Sequence, residues 1–281
     1  MDIQESHLKK VLTQRPKNSH KGDYGRILLI GGFYPYRGAI IMAAQAAVGA
    51  GAGLVTVASQ PETLQSLHSR LPEAMGLAIE DRNRLDELLL KQDVVALGPG
   101  TENHPDIQNL LGYLLDRMTS RQVLILDGGA LTAFRQVKKD AKCQLVLTPH
   151  QKEFEALTGL TIDQQADPHH VQEVINQLDS SVICILKKSG SQIYEKKMGQ
   201  ILALTIGGPH QATGGMGDCL VGVLAAIVGQ FKEASLLDRL AAGLYLHSWV
   251  ADQEAENHYV VTPSHLAQKL SFYMKQMERK D

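Results

Sequence analysis

The chain has 281 residues, 44% of them hydrophobic and 21% charged, with a net charge of −2 at pH 7. This composition fits a soluble globular protein with a sizeable core and excludes a dedicated nucleic-acid binder; Lys9-Lys10 and Lys196-Lys197 read as solvated faces. Cys143, Cys184 and Cys219 match neither a disulfide framework nor a zinc site, no signal-peptide pattern opens the chain, and the apolar stretch 39–53 is too short to span a bilayer, so a cytoplasmic protein without a membrane partner is expected.

In chain order, residues 26–30 form an apolar run that ends at Gly31-Gly32 and reads as a strand. An alanine-rich helix follows over 38–50, a strand over 54–58, and Pro61 opens another helix. Further strands are expected over 93–97, ending at Gly98-Pro99-Gly100, and over 123–126, ending at Asp127-Gly128-Gly129. Two more are expected over 145–148, before Pro149-His150, and over 182–186, before Lys187-Lys188. These runs are continuously apolar rather than alternating, the mark of strands buried on both faces of a mostly parallel sheet. Segments 192–194 and 201–204 are short and close together, more like a hairpin at one edge, and three helices are expected near 215–229, 235–253 and 263–278. Strand–helix alternation without a linker predicts one α/β domain over 1–281, a doubly wound, mostly parallel sheet with helices on both faces.

The polar signals fall at carboxyl ends of these strands, the edge at which open α/β sheets bind ligands. Thr213-Gly214-Gly215-Met216-Gly217-Asp218 is the most informative, because an apolar helical run follows it directly. Adjacent glycines can turn backbone amides inward, and a helix N-terminus adds unpaired amides and the positive end of a dipole. Gly214, Gly215, Met216 and Gly217 therefore predict an anion pocket suited to phosphate. Asp218 at its rim is either a helix cap or a base placed where a phosphoryl group arrives.

Other positions have two readings each. Gly49-Ala50-Gly51-Ala52-Gly53 follows a helix and precedes a strand, which fits a helix C-cap and not a dinucleotide fingerprint. His150 is a structural hydrogen-bonding group or a ligand contact, with no second histidine at metal-ligand spacing. Glu153 is a first-turn helix residue, or it positions a magnesium ion through water. Asp127 caps the turn at Gly128-Gly129 or stands near the substrate. Lys21 and Arg26 read as loop residues that could face a phosphate, and His169-His170 as surface.

The ordered set His20-Lys21-Gly22-Asp23-Tyr24-Gly25, Gly38-Ala39, Gly51-Ala52-Gly53-Leu54-Val55-Thr56-Val57, Gly98-Pro99-Gly100, Leu126-Asp127-Gly128-Gly129-Ala130-Leu131, Leu147-Thr148-Pro149-His150 and Gly214-Gly215-Met216-Gly217-Asp218 resembles the ribokinase-like fold. Within that fold it resembles the ADP/ATP-dependent NAD(P)HX dehydratases, which repair hydrated nicotinamide cofactors. The resemblance implies an enzyme that returns (6S)-NADHX and NADPHX to NADH and NADPH, with ADP or ATP as co-substrate, Mg2+ and a homotetrameric assembly. It implies substrate contacts at Ala39, Gly100, His150 and Asp218, with Asp218 as the catalytic base. It implies a nucleotide site at Lys187, Lys188, Ser189, Gly190, Ser191 and Gly217. The chain departs from the family pattern at Lys152 and Lys188, where glycine is usual, and over Gly208-Pro209-His210-Gln211, where Asn-x-Gly-Met is usual. These departures touch the nucleotide side. A small-alcohol kinase of the same fold is the alternative, of hydroxyethylthiazole or hydroxymethylpyrimidine type. A non-catalytic nucleotide sensor is a second, and Asp218 argues against it, because binding phosphate alone gains nothing from a nearby carboxylate.

Overall fold

A computed structural model describes the chain except residues 103, 138, 179–181, 197–200 and 279–281, so the expected solvated lysine at 197 lies outside the described residues. The strands are β1 (Asp2–Ile3), β2 (Arg26–Ile30), β3 (Leu54–Ser59), β4 (Met75–Ala78), β5 (Val94–Leu97), β6 (Val123–Leu126), β7 (Gln144–Leu147), β8 (Val182–Leu186), β9 (Gln192–Glu195) and β10 (Leu202–Leu204). The helices are α1 (Glu5–Val11), α2 (Arg37–Gly49), α3 (Pro61–Arg70), α4 (Arg82–Leu89), α5 (Ile107–Arg117), α6 (Gly129–Gln136), α7 (Gln151–Thr158), α8 (Pro168–Gln177), α9 (Met216–Gln230), α10 (Leu236–Ala255) and α11 (Pro263–Met277).

The strands form one sheet in the order β1-β10-β9-β8-β7-β6-β5-β2-β3-β4. Neighbours from β8 through to β4 run parallel, and among the described residues only β9 pairs antiparallel, with β8 on one side and β10 on the other. The unbroken apolar runs have a direct cause. Ile27 and Leu29 point into a core shared with α1, α2, α3, α9, α10 and α11. Leu28 and Ile30, the alternate positions, point into a second core with α4 to α8. Each strand must therefore be apolar on both faces.

The expected pairing of 192–194 with 201–204 is present as β9 against β10, but β10 is not the outermost strand, because β1 at the chain's start pairs parallel with it. A two-residue strand carries no periodic signal, which is why the sequence gives no sign of it. Gly49 and Ala50 close α2 with Gly51 at φ 87°, the helix end expected there. Lys21 and Arg26 precede β2 and so stand at the amino ends of the strands; the Arg26 amide donates to Asp93 and Gly53 donates to the Tyr24 carbonyl. The expectation that they could face a phosphate is therefore corrected, since Asp127, Lys187 and the glycine loop all stand at the opposite edge.

Candidate active site

Three neighbouring strands deliver one polar network. Asp127 follows β6, Thr148 follows β7 and Lys187 follows β8. Thr148 Oγ1 donates to Asp127 Oδ1 at 2.7 Å, and Lys187 Nζ donates to the same oxygen at 2.6 Å. The side chains are 7% and 17% exposed for Asp127 and Lys187, so this is a buried ion pair. The neighbouring Asp127 and Glu153 carboxylates hold the Lys187 pKa above its ordinary value against the pull of burial. Asp127 is thus committed to Lys187 and Thr148; Gly128 occupies the N-cap of α6, with no side-chain cap bond.

His150 and Glu153 form a reciprocal cap on α7. The His150 amide donates to Glu153 Oε2 at 2.7 Å, and the Glu153 amide donates to His150 Nδ1 at 3.1 Å. This satisfies two of the amides that a helix start leaves open. The imidazole is still 52% exposed, so its outer face remains open to a ligand. Burial raises the Glu153 pKa, Lys187 lowers it, and Asp127 raises it.

The glycine loop enters α9 over the same network. Gly215 is the N-cap at φ 89°, in the left-handed region, and a Cβ there would lie 2.3 Å from Met42 Cε. Asp218 is the third residue of the helix and not its cap, so the capping alternative falls away. A Cβ on Gly217 would lie 3.3 Å from Lys187 Nζ, which puts the first turn of α9 directly on the ammonium. The Met216 amide turns back to the Thr213 carbonyl at 3.4 Å, and the Cys219 amide donates to the Gly215 carbonyl at 2.9 Å. Among the described residues, no backbone acceptor takes the amides of Gly214, Gly215, Gly217 and Asp218. Met216 is therefore the weakest of the expected anion-pocket donors.

Burial raises the Asp218 pKa to about 7, helped by the negative charges of Asp127 and Glu102 and opposed by Lys187. Sequence reasoning missed Glu102. It sits just past Gly98-Pro99-Gly100, and its Oε1 lies 2.6 Å from where a Cβ on Gly128 would stand. Burial raises its pKa too, with Asp127 and Glu153 adding to the effect. The signal that could have found it was its place two residues beyond a strand-end glycine.

The remaining expected residues fall on either side of this centre. Gly100 has φ 68°, and its missing Cβ would meet the Tyr36 carbonyl at 2.4 Å and Ala39 Cβ at 3.1 Å, so Gly100 and Ala39 are direct neighbours. Lys188, Ser189, Gly190 and Ser191 turn tightly after β8, with Ser191 Oγ donating to the Lys188 carbonyl at 3.1 Å. They line a cavity of about 580 Å3 whose other wall is Gly207, Gly208, Pro209 and Gln211. That wall is the stretch in which the chain departs from the family pattern. Asp252 fixes it, accepting from the Gly207 amide at 2.9 Å and pairing with His210 Nε2 at 2.9 Å. Lys187 does not join this cavity, because its ammonium turns the other way, to Asp127.

A parallel sheet with a glycine loop, a helix N-terminus and an elevated-pKa aspartate at its carboxyl edge defines a ribokinase-like α/β protein. A ribokinase-like protein of Enterococcus faecalis superposes with a TM-score of 0.92 at 36% identity, over 99% of this chain and 96% of that one. The family model for NAD(P)H-hydrate dehydratase matches residues 27–271, and the chain belongs to that family. It is 44% identical over 274 residues to the ADP-dependent (S)-NAD(P)H-hydrate dehydratase of Streptococcus pneumoniae, covering 97% of this chain and 94% of that one. The Bacillus subtilis ADP/ATP-dependent NAD(P)H-hydrate dehydratase, co-crystallised with ATP and Mg2+, shares the fold with a TM-score of 0.86 at 24% identity, over 98% of each chain. A Pyrococcus horikoshii hydroxyethylthiazole kinase shares only the fold, at a TM-score of 0.62 and 13% identity, over 98% of this chain and 93% of that one.

Proposed function

We propose that this chain, acting as a single catalytic domain, dehydrates (6S)-NADHX and (6S)-NADPHX to NADH and NADPH with an adenine nucleotide as phosphoryl donor. The observation that carries the proposal is a carboxylate with a pKa of about 7, Asp218, in the first turn of a helix whose open amides form an anion pocket. A base poised near neutrality beside a phosphate site is what proton removal during phosphoryl transfer requires. Full-length relatives that are ADP-dependent dehydratases supply the substrate class and favour ADP as the donor.

The reaction would run in two stages. Asp218 accepts the proton of the C6 hydroxyl while that oxygen attacks the terminal phosphoryl group of the nucleotide, which departs one phosphate shorter. The amides of Gly215 and Gly217 stabilise the charge on the transferring group; one such donor is worth about 3–4 kcal/mol. Lys187, held by Asp127, stands beside Gly217 as a fixed positive charge. The C6–O bond then breaks with its electron pair leaving on phosphate, the ring nitrogen supplies electrons, and loss of the C5 proton restores the dihydropyridine. Four carboxylates, Glu102, Asp127, Glu153 and Asp218, face one ammonium here. That surplus of hard oxygen fits Mg2+ held near Glu153, which would neutralise nucleotide phosphate charge. Substrate contacts fall to Ala39, Gly100 and His150, and the nucleotide to the Lys188–Ser191 cavity. The working form is a homotetramer in the cytoplasm, a reading that sedimentation and cell fractionation test; among the described residues no helix is long and apolar enough to cross a membrane.

The deciding experiment incubates the protein with Mg2+, ADP or ATP, and the S form of hydrated NADH. NADH absorbance should return in step with free phosphate. No cofactor recovery with either nucleotide, alongside phosphorylation of a thiazole or pyrimidine alcohol, would hand the protein to the kinase reading.

A further inference from the structure

We propose that Tyr34, Tyr36 and Arg37 form a docking subsite for the distal half of the dinucleotide substrate, with the pyrophosphate on Arg37 and the adenine stacked on the tyrosines. The identity of the ligand rests on the dehydratase reading; the site itself rests on the geometry.

The loop that carries these residues leaves β2 at the same sheet edge as Asp127 and Lys187 and runs into α2. The Gly32 and Phe33 amides donate to the carbonyls of Pro99 and Gly100, both at 2.8 Å. Ser59 Oγ donates to the Gly31 carbonyl at 2.6 Å, Thr63 Oγ1 donates to the Gly32 carbonyl at 2.8 Å, and the Tyr34 amide donates to Gln60 Oε1 at 3.2 Å. The base of the loop is therefore rigid, yet it holds two large rings out in solvent, Tyr34 at 74% exposure and Tyr36 at 50%. An exposed aromatic ring on an anchored backbone offers a stacking face, since every base has a π-face to lay on it.

Arg37 stands beside them with its charge only loosely used. Its Nε is buried with no hydrogen-bond partner, and its ion pair with Glu62 is long, at 3.9 Å. The guanidinium carbon lies 5.5 Å from the centre of the Tyr34 ring. A partly exposed guanidinium with only a long ion pair, next to exposed rings, suits a ligand that carries phosphate close to a flat heterocycle.

Placement favours the dinucleotide substrate over the phosphoryl donor. The sheet order puts β2 and β5 on one side of the Asp127–Thr148–Lys187 network and the Lys188–Ser191 cavity on the other. Ala39 and Gly100, the expected substrate contacts, adjoin this loop through the Tyr36 carbonyl. A substrate reacting at Asp218 and passing Gly100 would continue onto Tyr34–Arg37.

The test pairs Arg37→Met, Tyr34→Ala and Tyr36→Ala with two substrates, hydrated NADH and the hydrated reduced mononucleotide, which lacks the adenosine half. Each variant should raise the KM for hydrated NADH about tenfold or more, the usual effect of losing one stacked base. The KM for ADP should not move, kinetics with the truncated substrate should match those of the unaltered protein, and Tyr36→Phe should restore the affinity lost in Tyr36→Ala. An unchanged KM for hydrated NADH, or an equal loss with the truncated substrate, would overturn the subsite. If the unaltered protein turns over neither substrate, the dehydratase reading fails by itself. NADH binding followed by its fluorescence then decides the subsite: weakening by Arg37→Met and Tyr34→Ala supports it, and unchanged binding overturns it.

Discussion

Asp218 carries two opposed demands. Burial and the charges of Asp127 and Glu102 make its ionised form unfavourable, and that same elevation to about 7 makes it a competent base near neutrality. Only the deprotonated form can accept the substrate proton, so kcat/KM should climb as pH rises through about 7 and level off above it. A flat profile from pH 6 to pH 8 would remove Asp218 from the base role. The stability effect has the opposite sign. A folded-state pKa above the unfolded value means the folded protein binds this proton more tightly; the stability so gained is fully present below about pH 4 and is lost as pH rises through about 7. Asp218→Asn should therefore lower turnover by about 10²–10⁴-fold while raising stability at pH 8 by about 1–3 kcal/mol. Chemical denaturation of both proteins at pH 4 and pH 8 checks it: the gain should be present at pH 8 and absent at pH 4.

At the scale of elements, the ion pair between Lys187 and Asp127 binds the carboxyl ends of β6 and β8 across β7. Lys187→Met leaves Asp127 buried without its cation, which costs about 3–5 kcal/mol, whereas the double variant Lys187→Met with Asp127→Leu should recover much of that loss. Denaturant midpoints of both variants measure this; a single variant as stable as the unaltered protein would show that Asp127 does not depend on Lys187. Gly215 makes a second demand, because φ 89° is strained for any residue with a side chain and a Cβ there would also displace Met42, so Gly215→Val should abolish nucleotide binding. Calorimetric titration with ADP reads this directly, and unchanged affinity would place the phosphates elsewhere. The central strands are legible in the sequence because both faces are buried, which forces runs such as Val123–Leu126 to be wholly apolar. β1 and β4 are not, since β1 has two residues and β4, at the sheet's rim, has Met75 and Gly76 exposed and so no wholly apolar run. The glycine loop before α9 is legible because its glycines cluster in sequence. Glu102 is signalled in the sequence by nothing but its place two residues past Gly100; the register of β5 against β6 is what brings it to Gly128.

The whole molecule sets the order of events along one sheet edge. The Lys188–Ser191 cavity lies beyond β8, the Asp127–Thr148–Lys187 network and the glycine loop lie in the middle, and the Ala39–Gly100 contact lies beside β2 and β5. Two ligands can then occupy the edge together with Asp218 between them. The three cysteines are buried in the cores and their pKa values are pushed upward, so none offers a thiolate to carry the phosphoryl group. The phosphoryl group should pass straight from nucleotide to substrate within a ternary complex. Initial-rate plots that vary ADP at several fixed concentrations of hydrated NADH should intersect, whereas the parallel lines of a ping-pong scheme would require a covalent phosphoenzyme. AMP, which keeps the adenosine of ADP but lacks the transferable group, should compete with ADP and should not compete with hydrated NADH. Competition of AMP against hydrated NADH would mean that the two ligands share one end of the edge, and the assignment of substrate to the β2 side would be wrong.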